Sequence, residues 1–596
     1  MRLWAADGKA DSMAVTVDGK NSDVAALEAL DAWISHVQDP ELSQELADMK
    51  ASVEEAEGEP ARTQALSAVQ DAFYRDLEFG TAGLRGIIGA GTNRMNIHTV
   101  ARATQGFADY LNSRFDHPSV AIARDSRRKG QLFVETAAGV LAANGVKAYV
   151  YPRIEPTPAL SFAVRDLGCA GGICMTASHN PAPYNGYKAY GPDGCQITTQ
   201  ASRDISDAIA AVDMFDGVSI MPFPDALEAG LVEWIGEDTL DRFIDCVAAQ
   251  SLEPAGALDD PSPLSVVYTP LNGTGLECVE RILERVGVTD VTLVPEQAQP
   301  DGDFPTCPYP NPEIREALEC GIRVCEQVHP DLLLATDPDA DRVGIAVEDA
   351  GDYVLLSGNE TGVLLLDYIA RMRREAGCDL SRCIAVTTIV SSAMVDALAA
   401  EYGFEVRRVL TGFKYIGELI GELEEAGEQD RFIFGFEESY GYLSGPHVRD
   451  KDAVNASMLI CQMARYWRSR GMNLVQALEA LYDRFGFYAN RTVSLTYPGA
   501  DGAARMAAIM ASLRSQAPFD VAGVAVAASV DYAPGYAGLP SADVVQLDLE
   551  NGWKVIVRPS GTEPKIKAYL FACEPTRAEA ESALDAMEAC ARRLLA

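Results

Sequence analysis

Four times along this chain a short apolar run stops at a loop rich in glycine, proline and hydrogen-bonding side chains. Residues 168–175 run into Thr176-Ala177-Ser178-His179-Asn180-Pro181, and residues 332–336 into Asp337-Pro338-Asp339-Ala340-Asp341-Arg342. Residues 432–434 precede Gly435-Phe436-Glu437-Glu438-Ser439-Tyr440-Gly441, and a run near 553–557 precedes Arg558-Pro559-Ser560-Gly561-Thr562-Glu563-Pro564. Apolar runs this short and bounded this way read as buried strands. A polar loop at a strand end sits at a sheet edge, where chemistry tends to be placed.

Between these runs the pattern is helical. Residues 97–114 and 131–144 read as helices, the second stopped by Gly145, with strands at 120–123 and 148–151. This βαβ rhythm predicts a mixed or mostly parallel sheet covered by helices. It restarts in a second α/β unit ending near 350. A third unit has strands at 384–390, 404–409 and 432–434, with helices from Ser391 and over 453–470. Stretches near 221–236, 253–264 and 497–502 read as breaks. The last hundred residues carry strands near 543–549 and 553–557 and a terminal helix from about 576. Ahead of all this, 1–22 read as a loose tail, and 23–56 and 61–78 as helical. What recurs is the whole α/β unit, with no short repeat of solenoid type.

At 596 residues the chain is too long for one core. Its 48% hydrophobic and 23% charged residues suit a globular protein. A formal charge of -38 argues against nucleic acid or an anionic membrane as partner. An anionic substrate therefore needs locally gathered Arg and Lys. The 13 cysteines show no zinc-like spacing, which points to free thiols in a reducing compartment. Without a signal-type apolar core near the start or an apolar run of membrane-spanning length, the expected location is cytoplasmic.

Each loop suits a distinct chemistry. Ser178 beside His179 is a candidate nucleophile, although such a turn also occurs as plain structure. Asp337, Asp339 and Asp341 lie at alternate positions and converge. Three converging carboxylates favour a hard divalent cation, and Mg²⁺ leaves positions open for phosphate oxygen. Arg558, Ser560, Gly561 and Thr562 offer a charged fork, hydroxyls and amides to an anion. Glu437 and Ser439 pair an acceptor with a donor, as a polyol needs. Lys188 suits acid/base work if neighbouring cations or burial lower its pKa. Arg85 and Arg127 lie in turns where they suit phosphate neutralisation. Arg449-Asp450-Lys451-Asp452 brings charge near the Glu437 loop, and Thr411-Gly412-Phe413-Lys414 follows another strand.

As an ordered set, over about 81–567, these motifs resemble the α-D-phosphohexomutase superfamily. Asp-Pro-Asp-Ala-Asp-Arg together with Arg-Asp-Lys-Asp-Ala resembles the branch of phosphoglucomutase-2 and bacterial α-phosphoglucomutases. The resemblance implies an α/β architecture of four domains around a central cleft: three mixed-sheet α/β domains and a C-terminal α+β domain. The expected division is 1–235 with the N-terminal helices and serine loop, 236–352 with the metal loop, 353–494 with the sugar loop and 495–596 with the phosphate loop. It implies an intramolecular phosphotransferase that interconverts glucose 1-phosphate and glucose 6-phosphate through a phosphoserine and a bisphosphorylated sugar. Ser178 becomes the phosphoserine, positioned by His179, with Lys188 as acid/base and Arg85 nearby. Ser178, Asp337, Asp339 and Asp341 become ligands of one Mg²⁺ per chain. Thr411, Gly412, Glu437, Ser439 and Lys451 bind the phosphosugar, and Arg558, Ser560, Gly561 and Thr562 hold its non-reacting phosphate. Glucose 1,6-bisphosphate is implied as activator, and a monomer or weak dimer as the assembly.

Pro338 stands where many relatives have Gly, which stiffens the metal loop. Phe413 stands where phosphomannomutase relatives often carry His, which weighs against dual activity. The alternatives are phosphomannomutase or phosphopentomutase activity on the same scaffold, or a sugar-phosphate sensor, although the nucleophile and all three carboxylates are retained. A serine hydrolase lacks its Gly-x-Ser-x-Gly elbow here.

Overall fold

The apolar runs become strands of four separate sheets. The computed structural model describes residues 19–80, 83–253, 263–497, 499–560 and 565–596. In the first sheet, β1 (Gly83–Ile87), β2 (Ser119–Arg124), β3 (Lys147–Val150), β4 (Gly171–Met175), β5 (Tyr184–Tyr190) and β6 (Val232–Trp234) lie in the order β1-β5-β4-β2-β3-β6. Strands β4, β2, β3 and β6 are parallel, while β5 and β1 turn back antiparallel. Every residue of β4 is buried, which is why it reads as a continuous apolar run without alternation.

The second sheet holds β7 (Ser265–Thr269), β8 (Asp290–Leu293), β9 (Leu332–Thr336), β10 (Val343–Asp349) and β11 (Asp352–Leu356) in the order β11-β10-β9-β7-β8. The third holds β12 (Ile384–Thr388), β13 (Glu405–Val409), β14 (Phe432–Glu437) and β15 (Gly441–Leu443) in the order β13-β12-β14-β15. Both are mixed. The fourth runs β16-β21-β20-β19-β18-β17 and is antiparallel throughout. Its strands are β16 (Phe487–Thr496), β17 (Asp520–Val521), β18 (Val524–Asp531), β19 (Val545–Leu549), β20 (Lys554–Pro559) and β21 (Lys565–Glu574). The helix Arg577–Leu594 packs on β16 and β21. Three mixed α/β sheets and a C-terminal α+β unit are thus the architecture expected from sequence.

One device recurs. Strands β4, β9 and β14 each end in a polar loop and return at once as an antiparallel neighbour, β5, β10 or β15. In the fourth sheet β20 and β21 are likewise consecutive antiparallel neighbours. The four segments singled out in the sequence fall at these four joins between consecutive strands.

Several boundaries differ from expectation. The stretch 23–56 is two helices, α1 (Gly19–His36) and α2 (Pro40–Glu54). Pro40 has no N–H to continue a helix but fits the first turn of a new one, where Asp39 caps Leu42 N at 3.0 Å. The next helix, α3 (Glu59–Phe73), stops short of 78. These three helices close a separate small core around Trp33, Leu46 and Phe73, which also takes in Ala90 and packs against Phe215 of the first unit. The stretch 221–236 carries β6, which pairs with β3, so the first unit extends through most of it. The tail at 1–18 and most of the break near 253–264 lie outside the described residues. At 497–502 a helix starts at Gly499, directly after Pro498, which also lies outside them.

Candidate active site

A buried arginine holds the serine loop from beneath. Arg127 Nη1 donates to the carbonyls of Pro181 and Tyr184 at 3.0 Å, and Nη2 to those of Ser178 and Asn180 at 2.5 Å. Its Nε donates to Asp125 Oδ2 at 3.1 Å, with both side chains fully buried. All five guanidinium donors are therefore engaged. The expectation that Arg127 faces a phosphate gives way to a structural role. Burial pushes the Asp125 carboxyl up to about 6, even with Arg127 beside it. Thr176 Oγ1 donates to Asp125 Oδ2 at 2.7 Å and accepts from Ser178 N at 2.8 Å. The loop so held carries Ser178 in the left-handed region, at φ 52°.

Ser178 Oγ donates to Asp337 Oδ2 at 3.0 Å and lies 3.2 Å from His179 Nδ1. Burial, with Arg342 and Arg85 nearby, holds His179 well below the usual histidine range, so its ring is neutral. Arg85, on β1, donates to Asn180 Oδ1 at 2.9 Å.

The three aspartates bring one oxygen each within 4.8 Å of one another. Burial and then Asp339 and Asp341 push the Asp337 carboxyl well above the carboxylate range. Burial would raise Asp341 too, but Lys188, Lys451 and Arg342 hold it well below that range. Asp339 Oδ1 and Asp341 Oδ1 are buried without a hydrogen-bond partner. Buried lone pairs left open among three carboxylates fit a hard divalent cation.

Lys188 Nζ donates to Asp339 Oδ2 at 2.7 Å and Asp341 Oδ2 at 3.1 Å. Burial would lower its pKa, yet these carboxylates carry it well above the usual lysine value. The expected lowering by neighbouring cations is not found, because the nearest groups are anions. Lys451 Nζ lies 3.1 Å from Asp341 Oδ2, 3.0 Å from Asp450 Oδ1 and 5.7 Å from the centre of the Phe413 ring. Arg449, two residues earlier, pairs instead with Glu424.

Gly412 N donates to Glu437 Oε1 at 2.7 Å, joining the loop after β13 to the end of β14. Thr411 Oγ1 is buried without a partner. Burial, with Glu437 adjacent, pushes the Glu438 carboxyl up to about 7. In the fourth sheet Ser560 N donates to Lys565 O at 2.7 Å, and Arg558 pairs across the sheet with Lys567. Gly561 and Thr562 lie outside the described residues.

These loops line one cavity of about 530 Å³. Ser178, His179, Lys188, Arg85 and Asp341 are among its lining residues, and Asp337 and Asp339, next to Asp341 in the same loop, are fully buried. Thr411, Gly412, Glu437, Ser439, Lys451, Arg558 and Ser560 line the same cavity. The sequence reading missed Lys565, Lys567 and Arg342, which add cations to the same cavity. The alternation of Lys565, Lys567 and Tyr569 along a strand was the available signal, since i and i+2 share a face.

Comparison with known proteins follows the same four-part division. Residues 76–215, 241–351 and 357–485 match the phosphoglucomutase/phosphomannomutase alpha/beta/alpha domains I, II and III, and residues 503–589 match the C-terminal domain. A phosphoglucomutase of Staphylococcus epidermidis is 36% identical over 513 residues, covering 84% of this chain and 91% of its own. One from Staphylococcus aureus strain USA300 is 34% identical over 550 residues, covering 90% and 94%. Among solved structures, the open form of the Paramecium exocytosis-sensitive phosphoprotein pp63/parafusin superposes with a TM-score of 0.66 at 18% identity, covering 88% of this chain and 94% of its own. A Burkholderia thailandensis phosphoglucomutase/phosphomannomutase family protein gives 0.63 at 18%, covering 87% and 97%. With all four domains matched in order and relatives above 30% identity along most of its length, this chain belongs to the phosphoglucomutase/phosphomannomutase family.

Proposed function

We propose that this chain is a phosphosugar mutase that interconverts glucose 1-phosphate and glucose 6-phosphate, with Ser178 as the phosphoryl carrier. The observation behind this reading is that Ser178 Oγ lies 3.0 Å from the aspartate cluster, in the same cavity as Arg558, Ser560, Lys565 and Lys567. One end can exchange a phosphoryl group while the other holds a second phosphate.

In the forward step the Ser178 Oγ–P bond breaks as a sugar hydroxyl oxygen forms its bond to phosphorus. Lys188 Nζ, hydrogen-bonded to Asp339 and Asp341, gives a proton to the departing Ser178 oxygen and regains one from the attacking hydroxyl. The bisphosphorylated sugar then turns over. Its other phosphoryl group returns to Ser178, and Arg558, Ser560, Lys565 and Lys567 hold the one left behind. Glu437 and Ser439 hold the sugar hydroxyls through the turnover. His179, neutral, stays beside Ser178 Oγ as a hydrogen-bond partner. Asp337, Asp339 and Asp341 would hold one Mg²⁺, which supplies charge neutralisation for phosphoryl oxygens. Positioning and charge account for most of the barrier reduction in such a transfer. Glucose 1,6-bisphosphate activates by rephosphorylating Ser178.

A coupled assay on glucose 1-phosphate, mannose 1-phosphate and ribose 1-phosphate tests the substrate. Glucose 1-phosphate gives the highest kcat/KM, and faster turnover of either alternative refutes the assignment. Intact mass after incubation with glucose 1,6-bisphosphate gains one phosphoryl group in the native chain and none in Ser178→Ala.

A further inference from the structure

The carboxylates of the 337–341 loop are oriented more narrowly than a plain acidic cluster requires. Each has one oxygen that two protein donors reach, enough to take both of its lone pairs. Asp337 Oδ1 accepts from the amides of Asp341 and Arg342 at 3.1 and 3.0 Å. Asp341 Oδ2 meets Lys188 and Lys451, each at 3.1 Å. Asp339 Oδ2 accepts from Lys188 Nζ at 2.7 Å and from Thr157 Oγ1 at 3.0 Å. The opposite oxygens differ: Asp339 Oδ1 and Asp341 Oδ1 accept no hydrogen bond, with Arg342 Nε 3.8 Å from the latter, and Asp337 Oδ2 accepts the Ser178 hydroxyl.

Thr157 stands apart from the other side-chain donors. It is uncharged, fully buried and absent from the cavity wall. It opens the helix Thr157–Asp166, beside the first sheet, while Asp339 follows β9 of the second. Its amide also donates to the Asp339 carbonyl at 2.9 Å, so one residue holds both the backbone and the side chain of the aspartate.

We infer that Thr157 is a positioning residue of the metal site. By saturating Asp339 Oδ2 it leaves Asp339 a one-oxygen ligand and biases the site toward Mg²⁺ over Ca²⁺. Mg²⁺ takes single oxygens at near-octahedral positions, whereas Ca²⁺ has a larger, more flexible shell that readily takes both oxygens of a carboxylate. Releasing Asp339 Oδ2 removes that bias. The inference rests on the proposed reading that the three aspartates hold a divalent cation.

Calorimetric titration of the full chain with MgCl₂ and, separately, CaCl₂, without sugar phosphate, tests it. Thr157→Val keeps the shape and removes the hydroxyl. It weakens Mg²⁺ binding about 10-fold and lowers the Mg²⁺/Ca²⁺ affinity ratio by a similar factor, and Thr157→Ser restores both. The ratio is insensitive to partial unfolding, because a smaller folded fraction scales both affinities alike. A Thr157→Val chain with the native ratio overturns the positioning role and leaves the metal reading intact. A native chain that binds no Mg²⁺ overturns the metal reading and the inference with it.

Discussion

Ser178 acquires its setting from residues that are remote in sequence. Arg127 supplies four hydrogen bonds to loop carbonyls from 51 to 57 residues away. Arg127→Met leaves Asp125 buried without its ion partner, a loss of about 3–5 kcal/mol in urea denaturation. Adding Asp125→Asn recovers part of that loss. Native-like stability of the single variant would show that the clamp is dispensable. Ser178 was legible in sequence because nucleophile and histidine are adjacent. Arg127 was legible only as a turn arginine, since its partners are backbone oxygens that carry no sequence signature. The loops also share a backbone feature: Ser178, Ala340 and Tyr440 all take φ between 49° and 65°. Each costs about 1–2 kcal/mol and is held by neighbouring contacts, such as Val343 N to Tyr440 O at 3.1 Å.

At the scale of elements, strands were legible and joins less so. Buried strands such as β9 and β12 show as unbroken apolar runs, while α1 and α2 merged into one helical pattern because their compositions match. Pro40 was the mark of the join. How elements abut was not legible at all. The helix Gly358–Glu375 starts against the sugar loop, and a Cβ on Gly358 would sit 2.1 Å from Glu438 O and 2.8 Å from Tyr440 N. Both atoms are backbone, so the loop itself must move. Gly358→Ala therefore lowers kcat/KM for glucose 1-phosphate by about 10–100-fold, since a displacement near 1 Å costs on that order. Thermal unfolding checks that the fold survives, at a cost of about 1–3 kcal/mol. Unchanged kinetics would show that the sugar loop is not held there.

Across the whole molecule, charge and seams govern behaviour. A chain of formal charge -38 gathers Arg85, Arg342, Lys451, Arg558, Lys565 and Lys567 at one cavity. Lys567→Ala accordingly raises KM for glucose 1-phosphate more than it lowers kcat, by about 10-fold for one lost charged hydrogen bond. Steady-state kinetics with a larger effect on kcat would assign Lys567 to the chemistry. Where the first two domains meet, Glu155 faces Cys278, and burial pushes its carboxyl up to about 7 against Arg153. Because the folded value lies above 4.5, its contribution to stability is full below about pH 4.5 and is lost as pH rises through about 7. The loss is at most about 3 kcal/mol. Glu155→Gln does not titrate, so its Tm rises relative to the native chain between pH 5 and pH 8. A gap equal at both pH values would remove Glu155 as the cause.

Among the described residues no helix is long and apolar enough to cross a membrane, and all thirteen cysteines are free. By itself the sequence determined the α/β units, the four loops and the residue types in them. These are local properties, set by hydrophobic period and turn chemistry. Only the tertiary structure decided which loops share a cavity, that Arg127 holds the serine loop and that Thr157 bonds Asp339. It also decided that Lys188 sits among carboxylates rather than among cations. Those outcomes depend on contacts between residues 51 to 182 positions apart, for which chain order supplies no rule.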